Sequence, residues 1–216
     1  MGGRSYMLAT RMPMSREGFD GWLAAPLPDL GVLANPGELW HGWAAEGATP
    51  DWELTALAGS PAAVTSLRAD RTRTPLELLA ARAAQGFTLA RHHDGALEVY
   101  LYDYHAHTYG TLTDLLMLAG AGRFADDDAE APVVYWGGDV HPGLPFDGGS
   151  VLSVLLVGRT SARFTAAYSF AALAERLRPV EEAFLGAVVD PDGEDPSWDS
   201  AEVLDPAVRA RVPAAG

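Results

Sequence analysis

Residues 87–104 read FTLARHHDGALEVYLYDY, and this stretch decides the fold class. Two runs rich in aliphatic and aromatic residues lie on either side of Asp94 and Gly95. An Asp-Gly pair readily adopts the positive backbone angles that a tight hairpin turn needs. The stretch therefore predicts an antiparallel hairpin whose strands cover residues 87–91 and 96–104.

The second strand of this hairpin has two different faces, because alternate residues of a strand point to opposite sides of the sheet. One face is apolar and consists of Leu97, Val99 and Leu101. The other face is aromatic and consists of Tyr100, Tyr102 and Tyr104. This alternation indicates a strand that buries its apolar face.

A helix after Thr74 is the clearest prediction outside the hairpin. Thr74 and Glu77 have the spacing of a capping box, and Pro75 occupies the first helical position. Other helices are predicted to begin at Ser15, to begin at Thr111 or Thr113, to cover residues 165–177 and to cover residues 180–189. The break between the last two is placed at Pro179, which lacks the N–H group that an internal helical turn needs.

Further strands are predicted at residues 5–10, 52–58, 132–136 and 151–157. The order of elements favours an α+β fold, with a mostly antiparallel sheet and strand-to-helix units packed on it, in a single domain. We predict that this domain covers residues 1–189 and includes an irregular connection at residues 26–50. Residues 190–216 are predicted to form an acidic, partly flexible C-terminal tail. We expect this tail to add little stability unless Trp198 docks.

The chain contains no lysine and no cysteine, so all 15 of its basic residues are arginine. The lack of lysine excludes Schiff-base chemistry and ordinary P-loop nucleotide binding, which both need a lysine amine. The lack of cysteine excludes a thiolate nucleophile and cysteine-ligated metal centres. No Gly-x-Ser-x-Gly sequence is present, and no Gly-x-Gly-x-x-Gly sequence follows a predicted strand. These observations favour a non-catalytic protein over an enzyme.

The 216 residues carry a formal net charge of −14. Such a charge repels the phosphate backbone, so we expect no nucleic-acid partner. It suits a basic protein partner, because complementary charge speeds association. No apolar run near the start reaches the length of a signal-peptide core or a membrane span. We therefore expect a cytoplasmic protein without a membrane partner.

Acidic and histidine residues follow the second strand of the hairpin. Asp103, His105 and His107 alternate there, and Asp139 and His141 have the same spacing after the next predicted strand. Carboxylate and imidazole groups ligate zinc and manganese. One hypothesis is therefore a metal-dependent hydrolase, in which three histidines and one acid bind Zn or Mn and the other acid acts as general base. The alternative is a structural cluster that needs no cofactor.

The same fragments resemble two motifs of a known family. Residues 103–108, DYHAHT, resemble the opening ligand motif of the polymerase-and-histidinol-phosphatase metal hydrolases, and residues 138–141, GDVH, resemble the closing one. The barrel of that family has many strands and further Glu and His ligands between these motifs. Here about 30 residues without a histidine separate them. No fold or ligand role is therefore carried over from that family.

Aromatic residues mark the predicted partner-binding surface. They are Trp40, Trp43, Tyr100, Tyr102 and Tyr104. Tryptophan and tyrosine often form the energetic centre of protein interfaces, although packing beneath a long loop is the simpler role for the two tryptophans. The leading hypothesis from the sequence is a non-catalytic protein that binds another protein, as an immunity-type inhibitor or accessory factor of a basic partner. The metal-dependent hydrolase is the alternative.

Overall fold

The computed structural model describes residues 5–35, 72–84, 87–103, 108–138, 151–165, 168–188 and 202–213. The strands in these residues are β1 (Ser5–Pro13), β2 (Thr88–His93), β3 (Ala96–Asp103), β4 (Ala131–Gly138), β5 (Val151–Val157), β6 (Ala162–Thr165) and β7 (Glu202–Leu204). The helices are α1 (Arg16–Ala24), α2 (Pro75–Ala83), α3 (Thr108–Ala121), α4 (Phe170–Val188) and α5 (Pro206–Arg209). Two short 3-10 helices are η1 (Leu30–Val32) and η2 (Gly122–Phe124). The predicted strand at residues 52–58 lies outside the described residues, as do residues 36–50 of the predicted connection.

The strands form one sheet in the order β6-β5-β4-β1-β3-β2-β7. β1 lies at the centre, where Ala9 pairs with Tyr100 of β3 on one side and with Val134 of β4 on the other. Neighbouring strands are antiparallel except for β2 and β7, which run parallel. The prediction of an α+β fold with a mostly antiparallel sheet in a single domain is confirmed.

The predicted hairpin forms as β2 and β3. Its turn residues Asp94 and Gly95 have φ angles of 47° and 66°. Both angles lie in the left-handed region, which glycine enters without steric cost and aspartate tolerates. The backbone N–H of Met14 donates to the carbonyl oxygen of Gly95 at 2.9 Å. This bond holds the turn beside the end of β1.

Helices cover both faces of the sheet. α1, α2, α3 and α5 pack on one face, whose core includes Leu97, Val99 and Leu101. α4 packs on the opposite face, whose core includes Tyr100. Leu97, Val99 and Leu101 therefore face one layer of helices, and Tyr100 faces the other. Among the described helices, none combines the length and the apolar character that crossing a bilayer requires.

The predicted caps of two helices are also confirmed. At the start of α1, the N–H of Gly18 donates to Oγ of Ser15 at 3.1 Å. At the start of α2, the N–H of Glu77 donates to Oγ1 of Thr74 at 3.3 Å, and the N–H of Thr74 donates to Oε2 of Glu77 at 2.9 Å. These bonds satisfy backbone donors that a helix start otherwise leaves unpaired.

α3 is buried along most of its length. It begins at Thr108, so the predicted start at Thr111 or Thr113 is one turn too late. Its buried apolar side chains are Leu112, Leu115, Leu116, Met117, Leu118, Ala119 and Ala121, and the polar side chains of Thr113 and Asp114 are buried as well. The indole Nε1 of Trp22 on α1 donates to the carbonyl oxygen of Met117 at 3.1 Å, which fixes the position of α1 relative to α3.

The predicted helix break at Pro179 is wrong. α4 runs without interruption through this proline, and residues 162–165 form β6 instead of leading directly into the helix. Apolar side chains on both sides of the proline are buried against the sheet: Leu173, Leu177, Val180 and Phe184. Their burial outweighs the cost of about 3 kcal/mol that an internal proline imposes on a helix.

Residues 202–213 pack against the domain. Val203 of β7 pairs with Leu89 of β2, and Val208 of α5 is fully buried in the core beside α2. The sequence predicts a partly flexible tail at residues 190–216, whereas the structure shows that residues 202–213 pack on the core. The sequence pattern missed the contact because a strand of three residues and a helix of four are too short to show a period. The predicted domain boundary at residue 189 stays a prediction.

The outer edge of β6 is covered by the residues that follow η1. Nδ2 of Asn35 donates to the carbonyl oxygen of Phe164 at 3.0 Å, and the N–H of Phe164 donates to Oδ1 of Asn35 at 2.8 Å. One side chain thus satisfies both backbone groups of an edge residue. Edge strands with unpaired backbone groups attract other strands, so this contact protects the edge.

Candidate functional site

Of the five aromatic residues predicted to bind a partner, two belong to the described residues: Tyr100 and Tyr102. Tyr100 lies beneath α4, where its ring stacks on Phe184 with 4.4 Å between ring centroids. Only 7% of Tyr100 is exposed, so a partner would reach its ring only if α4 moved. Tyr102 belongs to the same strand. Outside the described residues lie Trp40, Trp43 and Tyr104.

The two predicted metal motifs follow strands β3 and β4, and the ends of these strands lie on either side of β1. Asp103 at the end of β3 pairs with Tyr6 of β1, and Gly137 of β4 pairs with Tyr6 from the other side. Within the described residues, no group of three acidic or histidine side chains could hold a metal ion. Outside those residues lie His105, His107, Asp139 and His141. The metal site therefore stays a prediction.

Acidic residues gather at the opposite end of the sheet, which we call the acidic end. Three connections meet there: the β1–α1 junction, the β2–β3 turn and the loop from η2 to β4. The Met14–Gly95 hydrogen bond joins the first two, and the N–H of Asp126 donates to the carbonyl oxygen of Pro13 at 3.2 Å. The exposed acids of the acidic end are Glu17, Asp94, Asp126, Asp127, Asp128 and Glu130.

Two arginines neutralise part of the acidic end. Nε of Arg159 lies 2.7 Å from Oδ1 of Asp128, and Nη2 of Arg163 lies 2.8 Å from Oε2 of Glu130. Both pairs are solvent-exposed, so each contributes little to stability. Within the described residues, the acids that make no ion pair here are Glu17, Asp126 and Asp127. The acidic end therefore keeps a net negative charge.

A buried glutamate forms ion pairs with two arginines on the sheet face that α4 covers. Glu98 of β3 lies between Arg11 of β1 and Arg91 of β2, and it pairs in register with both. Nε of Arg11 donates to Oε1 of Glu98 at 3.2 Å, and Nε of Arg91 donates to Oε2 at 2.9 Å. The side chain of Glu98 is 0% exposed, whereas Arg11 and Arg91 are 27% and 25% exposed. One buried carboxylate thus fixes two guanidinium groups near the surface.

A third arginine reaches this cluster from α4. Nε of Arg176 donates to the backbone carbonyl oxygen of Arg11 at 3.0 Å. At the rim, Nδ1 of His93 lies 3.7 Å from Oε1 of Glu98 and 3.6 Å from Oδ2 of Asp94. We call Arg11, Arg91 and Arg176 the arginine cluster. No sequence motif marks this cluster, although a glutamate in the middle of an apolar strand signals a buried charge that needs a partner.

Another buried acid, Asp205, joins the C-terminal segment to α1. Nη1 of Arg16 lies 2.6 Å from Oδ2 of Asp205, and the N–H of Ala207 donates to Oδ1 at 3.0 Å, which caps α5. Burial raises the pKa of Asp205, but the hydrogen bonds from Arg16 and Ala207 outweigh burial and hold the pKa below its ordinary value. Asp205 in turn raises the pKa of Arg16. The pair therefore stays ionised at neutral pH and has a structural role.

Comparison of the chain with protein-family models, with curated proteins and with solved structures finds no match. The acidic end can attract cations and basic surfaces, and the arginine cluster can donate hydrogen bonds to anions.

Proposed function

We propose that this protein works by binding a basic protein, as an immunity-type inhibitor or an accessory factor, without catalysing a reaction. The observation that carries the proposal is the acidic end, where six exposed acids from three connections lie together. The net charge of −14 gives the whole molecule a field of the same sign. A basic partner would therefore be drawn toward the molecule before any contact forms.

The arrangement of the acidic end suits recognition as well as attraction. Its acids lie on a helix start, a hairpin turn and a loop, which the sheet holds in fixed relative positions. Loops on a rigid sheet are common sites of binding. Glu17, Asp126 and Asp127 make no ion pair within the described residues, so a lysine or arginine of a partner would not have to displace an internal cation.

A pair of charge variants tests this proposal. The first combines Glu17→Gln, Asp126→Asn and Asp127→Asn at the acidic end. The control removes the same number of charges from the exposed side of α4, with Glu175, Glu181 and Glu182 each changed to glutamine. Both variants and the native protein are immobilised and exposed to a lysate of the source cell, and bound proteins are identified by mass spectrometry.

The proposal predicts a basic protein that the native chain and the control variant retain and that the acidic-end variant loses. The retained protein is then purified, and its affinity for each chain is measured by calorimetry. Equal affinity for the native chain and the acidic-end variant would refute a role for the acidic end.

The metal-dependent hydrolase is the second candidate function. The observation that favours it is the register at Tyr6, which places the backbone of Asp103 and Gly137 on either side of one residue. The two motifs therefore continue from neighbouring points at one end of the sheet. Elemental analysis of native protein tests this candidate, which requires stoichiometric zinc or manganese that His105→Ala removes. Metal-free native protein would eliminate it.

A further inference from the structure

We propose that the arginine cluster, Arg11, Arg91 and Arg176, binds a small oxyanion, the phosphate or carboxylate group of a low-molecular-weight ligand. The site lies on the sheet face that α4 covers, close to the hairpin turn. It adjoins the acidic end at the hairpin turn, where Nδ1 of His93 lies 3.6 Å from Oδ2 of Asp94. Its ligand class does not depend on the function proposed above.

Sheet register creates the site. Arg11, Glu98 and Arg91 are consecutive partners across β1, β3 and β2, and neighbouring strands lie about 4.8 Å apart. Side chains at paired positions share one face, so both guanidinium groups lie on the α4 side. Nε of Arg176 donates to the backbone carbonyl oxygen of Arg11, which adds a third guanidinium group next to Arg11. Arg11 and Arg91, far apart in sequence, thus meet at one carboxylate, and Arg176 contacts the backbone of Arg11.

The charges of the cluster do not balance. Within the described residues, Arg11 and Arg91 contact no acid besides Glu98, and Arg176 contacts none. His93 at the rim lies near Glu98 and Asp94. Two guanidinium groups therefore share one buried carboxylate, and the third, that of Arg176, contacts a backbone carbonyl oxygen instead. An anion would neutralise this surplus positive charge.

The ligand that best fits these arginine side chains is an oxyanion. Glu98 accepts hydrogen bonds from Nε of Arg11 and of Arg91, so it orients both guanidinium planes. The paired N–H donors of an arginine guanidinium group match the spacing of phosphate and carboxylate oxygens and form strong, charge-assisted hydrogen bonds with them. About a quarter of Arg11 and of Arg91 remains exposed, at 27% and 25%, so a small ligand can reach them.

Titration of the full chain with inorganic phosphate and, separately, with citrate tests the proposal. Calorimetry is carried out in a chloride buffer of constant ionic strength, which keeps general charge screening equal. Arg176→Gln removes one cluster arginine without touching Glu98. Arg178→Gln is the matched control, because Arg178 lies on the same helix, is exposed and contacts Glu175 instead.

We expect saturable binding of at least one probe, weakened about tenfold by Arg176→Gln and unchanged by Arg178→Gln. Binding of phosphate but not citrate assigns a phosphate ligand, and the reverse assigns a carboxylate ligand. Glu98→Gln removes the competing negative charge and should strengthen binding if the variant folds. No saturable binding of either probe, or equal weakening by Arg176→Gln and Arg178→Gln, would overturn the proposal.

Discussion

Replacement of Asp205 by alanine should destabilise the protein far more than replacement of Asp20, although both acids contact Arg16. Asp205 is 3% exposed, accepts hydrogen bonds from Arg16 and Ala207, and caps α5. Asp20 is 54% exposed and lies one helical turn from Arg16 on the surface of α1. The comparison therefore separates a buried contact from an exposed one around the same arginine.

The expected magnitude follows from the contacts that Asp205→Ala removes. Loss of a helix cap costs about 1 kcal/mol. Loss of the charge-assisted hydrogen bonds adds about 1–2 kcal/mol, at the lower end for such bonds because water can solvate Arg16, which is 49% exposed. The free energy of unfolding should thus fall by about 2–3 kcal/mol for Asp205→Ala. Asp20→Ala removes only an exposed ion pair and should cost about 0.5 kcal/mol or less.

The difference between native protein and Asp205→Ala should also depend on pH. The pKa of Asp205 is lower in the folded protein than the usual value of about 3.9 in an unfolded chain. The ionised carboxylate therefore stabilises the fold fully above the unfolded pKa. This stabilisation is lost as pH falls through the lowered folded pKa, because the unfolded chain takes up the proton first.

Urea denaturation of native protein and both variants, at pH 7 and at a series of values below 4, measures these effects. At pH 7 the midpoint for Asp205→Ala should be lower by about 1 M, given a slope of about 2–3 kcal/mol per molar urea. Equal midpoints for Asp205→Ala and Asp20→Ala would refute the conclusion that the C-terminal segment is held by this contact. So would a difference that does not shrink in acid.

Three further substitutions test the packing of the domain. Pro179→Ala should raise stability by about 1–2 kcal/mol, measured as a higher Tm, because it restores a helical hydrogen bond at some cost in unfolded-state entropy. Gly122→Ala should lower stability by about 2 kcal/mol in urea denaturation, because its Cβ would clash with the carbonyl oxygen of Gly158, whereas Gly31→Ala, whose Cβ meets no atom within 4 Å, should have little effect. Asn35→Ala should cost about 1–2 kcal/mol by the same assay, because it leaves both backbone groups of an edge residue without their partner.

Elements with a strong local signal were predictable from the sequence. The Asp94–Gly95 turn and the Thr74 capping box each specify a backbone conformation within a few residues. The alternation in β3 was equally clear, because one strand carries leucine and valine on one side and tyrosine on the other. The mostly antiparallel sheet follows from these local features together with the order of the elements.

Features that depend on tertiary contact were not predictable. Local propensity places a break at Pro179, but burial on both sides of it keeps α4 continuous. β7 is too short to show a period and forms only because β2 offers a parallel edge. Strand register brings Arg11 and Arg91 of the arginine cluster to Glu98, and helix packing brings Arg176 to the backbone of Arg11.

The association rate of the protein with its basic partner tests the central claim most directly. Stopped-flow mixing of the purified partner with native protein, with the acidic-end variant and with the α4 control variant gives this rate at several salt concentrations. Attraction by the acidic end predicts a rate about tenfold lower for the acidic-end variant at low salt, little change for the control, and a difference that vanishes as salt rises. Equal rates for the native protein and the acidic-end variant at every salt concentration would contradict the claim.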